Sequence, residues 1–385
     1  MKRNITLGSV SITPHERRYV EQVLDTTLVG PFEFSKKVAS RVAELHGYKH
    51  GRYLNSGQSA LTISLRAIIQ QKGWTHRPLV ATPACTYIST QASCIFANCD
   101  FVLVDVGLDD INMDPKALRD QLEYQKLVGR PIDIVMPVHL CGKPVKSEIK
   151  QICETYNLPS VVDSCETIFA PKDLDWGTIV CFSTFSNHTL GAGAGGIAVT
   201  NDKQLDFFLF QQISHGRENE SSGTDPHTMG ERFRFSEWGE SLKPSDLYAA
   251  VALGGIERRH SIISAQQFNA FRLNEVLVDL PLILPTMENH TFMFYPIVAR
   301  ESVDVTKLLA YLHDNGVFTR RLMPITNQPI VLKYTGYTQA TLDTHCPNAA
   351  FINRQGFYVG SHPGLTTDDV LYLGIKIREG VRLAS

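Results

Sequence analysis

The feature that most constrains the fold is an alternation between residues 50 and 210. Short β-rich apolar runs at 79–82, 101–106, 132–138, 160–163, 179–183 and 196–200 are separated by segments of helical spacing. Leu61, Leu65, Ile68 and Ile69 fall on one helix face, as do Ile149, Ile152, Cys153 and Tyr156. A strand can pair in parallel with its predecessor only through a crossover that packs back on the sheet. Alternation of this kind therefore predicts right-handed βαβ units and a mostly parallel sheet. Such sheets take ligands at the carboxyl ends of their strands. Beyond this region, the polar segment 215–240 reads as a long loop, and a helix is expected over 245–259. Strand runs at 291–298 and 356–360 and a helix at 305–313 complete the pattern. The expected division is a large domain over 1–250, including an N-terminal segment, and a smaller α+β domain over 251–385.

Composition narrows the function classes. The chain has 385 residues, 43% of them hydrophobic, enough for a large core. Its 37 basic and 39 acidic residues give a net charge of −2, so no basic surplus points to nucleic acid. The most apolar stretch, near 247–256, is too short to span a bilayer. No apolar run follows Met1-Lys2-Arg3-Asn4, so no signal peptide is expected. Eight cysteines form no CxxC pair, which fits buried reduced thiols and a cytoplasmic protein. After Cys181 only Cys346 follows, too few for a four-thiolate cluster in the C-terminal half, and no metal is expected.

Several strand ends carry chemistry. Asn55-Ser56-Gly57-Gln58-Ser59 is a small-residue turn entering a helix, either an ordinary N-cap or an anion site. Asp163 closes an apolar strand in Val161-Val162-Asp163-Ser164-Cys165-Glu166. A carboxylate buried there needs a partner, unless it serves only as a cap. Phe182-Ser183-Thr184-Phe185-Ser186-Asn187-His188 leads into the glycine-rich run 191–196. No lysine lies between Lys172 and Lys203. Pro137-Val138-His139-Leu140-Cys141-Gly142 follows another strand, where His139 is either structural or functional.

In order and spacing these segments resemble the DegT/DnrJ/EryC1 family of nucleotide-sugar aminotransferases, over about residues 5–373. The resemblance implies a fold type I, aspartate aminotransferase-like large domain and a homodimer. It implies pyridoxal 5′-phosphate or pyridoxamine 5′-phosphate as cofactor. In the family a lysine at the place of His188 forms a Schiff base with that cofactor. Histidine cannot, and together with the D-x-C-E form at 163–166 it resembles the family's 3-dehydratase branch. By the same resemblance, Gly57, Gln58, Ser59 and Ser183 would hold the phosphate, and Tyr87 would lie on the ring. Asp163 would pair with the ring nitrogen, Glu166 would lie near the ring hydroxyl, and Ser241 would stand where relatives reach the partner subunit's phosphate. His188 would be the catalytic base. The implied reaction removes the C3 hydroxyl of a nucleotide-linked 4-keto-6-deoxy sugar in polysaccharide-type deoxysugar biosynthesis, with L-glutamate regenerating the amine. The alternatives are an aminotransferase or 3-dehydrase of another nucleotide sugar, and a non-catalytic homologue.

Overall fold

The computed structural model describes residues 3–385 except 26–31, 172–173, 175, 221–232 and 324, so the middle of the expected 215–240 loop lies outside the described residues. The larger sheet is built from β1 (His50–Leu54), β2 (Leu79–Pro83), β3 (Asp100–Val104), β4 (Ile134–Val135), β5 (Val161–Asp163), β6 (Ile179–Ser183) and β7 (Gly196–Thr200). β3, β2 and β4 pair in parallel, as do β5 and β6. Parallel bridges from Val135 to Ser160 and from Val138 to Asp163 join the two groups. The resulting order is β3-β2-β4-β5-β6-β7-β1, with β7 antiparallel to both β6 and β1. β2, β5, β6 and β7 are buried at every position, which is why they read as continuous apolar runs.

Three details differ from the sequence expectation. β1 was not anticipated; it holds a histidine, a glycine and an arginine, and Gly51 is required because a Cβ there would lie 2.5 Å from the Ala39 carbonyl oxygen. The 132–138 run gives only two ladder residues, continuing as the single bridge at Val138. The βαβ rhythm also stops after β5. Among the described residues no α-helix links β5 to β6 or β6 to β7. Those two connections shape the candidate site instead.

A second, antiparallel sheet has the order β10-β11-β9-β8, from β8 (Leu282–Ile283), β9 (Phe294–Ala299), β10 (Arg320–Arg321) and β11 (Gly356–Gly360). One apolar cluster combines Ile5 with residues from 270–384, packed between this sheet and the helices Arg259–Leu277, Val305–Asp314 and Thr367–Ala384. The N-terminal segment thus runs from Ile5, bridged to Val317, to the helix Pro14–Asp25, which packs on Asp246–Glu257. Glu16 is 1% exposed there and accepts two hydrogen bonds from Arg258, at 2.9 and 2.6 Å. Among the described residues no helix is long and apolar enough to cross a membrane.

Candidate active site

β5 ends at Asp163 and β6 at Ser183, side by side, and both open into a cavity of about 320 Å³. The turn 55–58 forms one wall. Ser56 caps the helix Gly57–Lys72: its backbone is extended, and its Oγ accepts the Ser59 N–H at 3.1 Å. The first N–H groups of that helix have no intrahelical acceptor and face the positive end of the dipole. Gly57 is needed for close approach, since a Cβ there would stand 2.8 Å from Cys165 Sγ and 2.9 Å from Ser183 Cβ. Gly196 is tighter still, its Cβ position lying 2.1 Å from the Ser56 carbonyl oxygen. These contacts lock the turn to β6 and β7.

Asp163 is 4% exposed. Its Oδ2 accepts Thr90 Oγ1 at 2.9 Å, and its Oδ1 accepts the Cys165 N–H at 3.2 Å. Burial pushes its pKa up, and the bonds from Cys165 and Thr90 pull it back. Among the described residues it has no cationic partner, so the site calls for one from a ligand. Glu166 Oε2 accepts the Cys141 N–H at 2.8 Å. Burial, reinforced by Asp163, raises its pKa to about 7 against the Cys141 hydrogen bond. The turn carrying Cys141 is held by His139, whose N–H donates to the Asp163 carbonyl and whose Nδ1 accepts the Val145 N–H at 3.1 Å. His139 is structural support for these two acids.

His188 sits in the loop after β6, its ring edge-on to Phe185 at 5.9 Å. Burial lowers its pKa to about 4, with hydrogen bonding to the Cys165 and Ser183 backbone pulling the other way. Its Nδ1 is enclosed and without a hydrogen-bond partner. The ring is therefore neutral at pH 7 and presents an unused polar atom.

Gly57, Gln58, Tyr87, Asp163, Glu166, Ser183 and His188 all line the cavity. Tyr87 is at the rim, 62% exposed. Ser59 does not line it; its N–H and hydroxyl are engaged with Ser56. Ser241 does not line it either, being exposed and bridged to Ser214. Thr86 also lines the cavity, and sequence reasoning named no role for it or for the lining residues Cys165, Phe185, Asn187, Phe294, Arg320, Met323 and Tyr358. The last four come from the C-terminal part of the chain, and Arg320 faces Tyr358 across the β10–β11 pair. Thr90, behind Asp163, carried no sequence signal.

The residues fit pyridoxamine or pyridoxal phosphate. The Gly57–Gln58 turn with Ser183 could hold the phosphate. The buried carboxylate of Asp163, hydrogen-bonded but without a cationic partner among the described residues, suits a protonated ring nitrogen, and His188 lines the same cavity. No lysine lines the cavity among the described residues. Nor, among them, do three or more His, Cys, Asp or Glu residues group to hold a metal ion.

Residues 10–378 match the model of the DegT/DnrJ/EryC1/StrS aminotransferase family. The chain is 23% identical over 394 residues to GDP-4-keto-6-deoxy-D-mannose 3-dehydratase of Escherichia coli O55:H7, covering 96% of this chain and 98% of that one. It is 24% identical over 380 residues to GDP-perosamine synthase of Escherichia coli O157:H7, covering 96% of each. In structure it is similar to the E. coli GDP-4-keto-6-deoxy-D-mannose-3-dehydratase with bound hydrated PLP, with a TM-score of 0.86, 21% identity, and coverage of 98% of this chain and 100% of that one. A second structure of GDP-4-keto-6-deoxymannose-3-dehydratase, with a trapped PLP-glutamate geminal diamine, gives a TM-score of 0.85 at 21% identity, covering 97% and 100%. The fold is that of the PLP-dependent enzymes of this group. From strand order to the motifs at the strand ends, the chain belongs to the DegT/DnrJ/EryC1/StrS aminotransferase family.

Proposed function

We propose that this protein removes the C3 hydroxyl from a nucleotide-linked 4-keto-6-deoxy sugar, using pyridoxamine phosphate regenerated with L-glutamate. The observation that carries the proposal is His188 in the family's lysine position, with no lysine elsewhere in the described cavity wall. An enzyme without that amine cannot recapture its cofactor covalently, so ordinary transamination loses its usual last step. The relatives named as 3-dehydratases support the same direction. The glutamate-bearing relative supports the amine donor.

When bound, the cofactor ring supplies an electron sink. The chain's residues do the rest. The Gly57 and Gln58 N–H groups and the Ser183 hydroxyl would hold the phosphate. Asp163 would keep a proton on the ring nitrogen, Glu166 would lie by the ring hydroxyl, and Tyr87 would cover the ring. His188 would take a proton from the bound cofactor–sugar pair and hand it to the departing C3 hydroxyl oxygen, which would leave as water. Its low pKa suits both halves of this task. At neutral pH the accepting form is the resident one, and the imidazolium, once formed in a buried site, is a strong acid.

The working unit in this proposal is a cytoplasmic homodimer. Ser241 lies outside its own cavity and is exposed, as a residue reaching a neighbouring subunit would be. The test of function is a panel of GDP-, CDP-, dTDP- and UDP-linked 4-keto-6-deoxy sugars, incubated with pyridoxamine phosphate and glutamate. The expected product of one member is lighter by one oxygen. An amino sugar as the only product would instead make the protein an aminotransferase.

A further inference from the structure

We propose that Thr90, backed by Thr86, is a positioning residue that holds the Asp163 carboxylate ionised and aimed at the cofactor's ring nitrogen. The proposal rests on the pyridoxamine phosphate assignment. Thr90 does not line the cavity, so the chemistry described so far leaves it without a task.

Its geometry supplies one. Thr90 lies in the first turn of the helix Ser89–Phe96, 0% exposed, with Oγ1 2.9 Å from Asp163 Oδ2. Thr86, four residues earlier and 1% exposed, places its Oγ1 2.9 Å from Thr90 Oγ1. A carboxylate only accepts, so the single Thr90 proton goes to Oδ2. The Thr90 oxygen must then accept the Thr86 proton, and the chain of hydroxyls has one direction. Serial donors of this kind polarise one another in a low-dielectric interior. The Cys165 N–H holds the other carboxylate oxygen, so both oxygens are fixed and the plane of the group is set. Burial alone would favour the neutral acid, which could not pair with a cationic ring nitrogen. The relay also has an anchor across the cavity: the Thr86 N–H donates to the Met323 carbonyl at 3.2 Å, and Met323 lines the cavity from the C-terminal side.

The role can be separated from mere packing by changing the cofactor atom that Asp163 meets. Dissociation constants would be measured for pyridoxamine phosphate and for its 1-deaza analogue, in which a C–H replaces the ring nitrogen. Thr90→Val keeps the side-chain shape and removes the donor. It should weaken pyridoxamine phosphate binding by about tenfold, as expected for one hydrogen bond to a charged group, and leave the 1-deaza analogue within about twofold. Thr90→Ser should restore native binding of both. Equal losses for the two compounds, or no loss for either, would overturn the proposal and leave Thr90 as a core residue. Thr86 itself lines the cavity, so should Thr90→Val not fold, Thr86→Val reads the same relay one step out, with the 1-deaza compound as the control for direct contact. It should give a smaller, about threefold loss confined to pyridoxamine phosphate, and a loss shared by both compounds again overturns the proposal. If the unaltered protein binds pyridoxamine phosphate not at all, the cofactor assignment fails first and takes this proposal with it.

Discussion

A neutral imidazole with an enclosed, unpartnered Nδ1 stands at position 188, where an amine would give a covalent anchor. Borohydride reduction in the presence of pyridoxal phosphate is therefore expected to leave the intact protein mass unchanged, and a stable lysine adduct would contradict a histidine-based site. Glu166 makes a second residue-level prediction. Its pKa is raised to about 7 in the folded protein from an ordinary 4.5. A raised pKa contributes stability that is complete below about 4.5 and is lost as pH rises through about 7. His188 has the opposite sign: its depressed pKa costs stability as pH falls from 6.5 towards about 4. Comparing wild type with Glu166→Gln isolates the first effect. Between pH 5 and pH 8 the cofactor-free wild type should lose roughly 2–3 kcal/mol more stability than the variant, at 1.36 kcal/mol per pKa unit. Urea unfolding at the two pH values checks this, and parallel behaviour of the two proteins would mean that Glu166 is ionised throughout.

The elements around the site are held together by close backbone approach. β7 begins at Gly196, and a Cβ there would press on the Ser56 carbonyl oxygen at 2.1 Å and the Gly57 nitrogen at 2.6 Å. Gly196→Ala must push the phosphate-side turn away from β7. Overpacking of this kind costs about 1–3 kcal/mol, so affinity for pyridoxamine phosphate should fall by about 5- to 150-fold. Unaltered affinity in a fluorescence titration would show that the turn does not depend on this contact. Much at this scale was legible in the sequence. β2, β6, β7 and β11 announce themselves as apolar runs because both faces are buried. The strand-end acids and the Gly57 turn are legible through the order and spacing shared with the family, since by residue type alone each could equally be a cap. β1 was not, since Gly51 and Arg52 respond to a packed helix and to an ion pair with Asp206, neither of which is local in sequence. Thr90 was silent for the same reason: its partner is 73 residues away. The roof residues Phe294, Arg320, Met323 and Tyr358 needed the tertiary fold to bring them over the cavity.

For the molecule as a whole, the N-terminal segment ties the two sheets' surroundings together through Ile5 at one end and Glu16 at the other. Burial pushes the Glu16 pKa up, but hydrogen bonds from Thr13 and Arg258 outweigh it and hold the carboxylate below its usual range. Arg258→Ala removes the cation from a carboxylate that is 1% exposed in the intact protein and leaves it only the Thr13 hydrogen bonds. Stability should fall by roughly 3 kcal/mol, as for other buried pairs broken from one side. Chemical denaturation at pH 7 reads this directly, and a loss near zero would show that the N-terminal helix docks without the pair. The central claim concerns the whole reaction. It is tested most directly by turnover of the reactive 4-keto nucleotide sugar at saturation, with pyridoxamine phosphate and glutamate, in wild type and His188→Asn. Both proteins should bind pyridoxamine phosphate, because the Gly57 turn, Ser183 and Asp163 are intact in each. Wild type should release a product lighter by one oxygen, and His188→Asn should do so about 10²–10⁴-fold more slowly. Deoxygenation by His188→Asn at the native rate would contradict the account and place the base elsewhere.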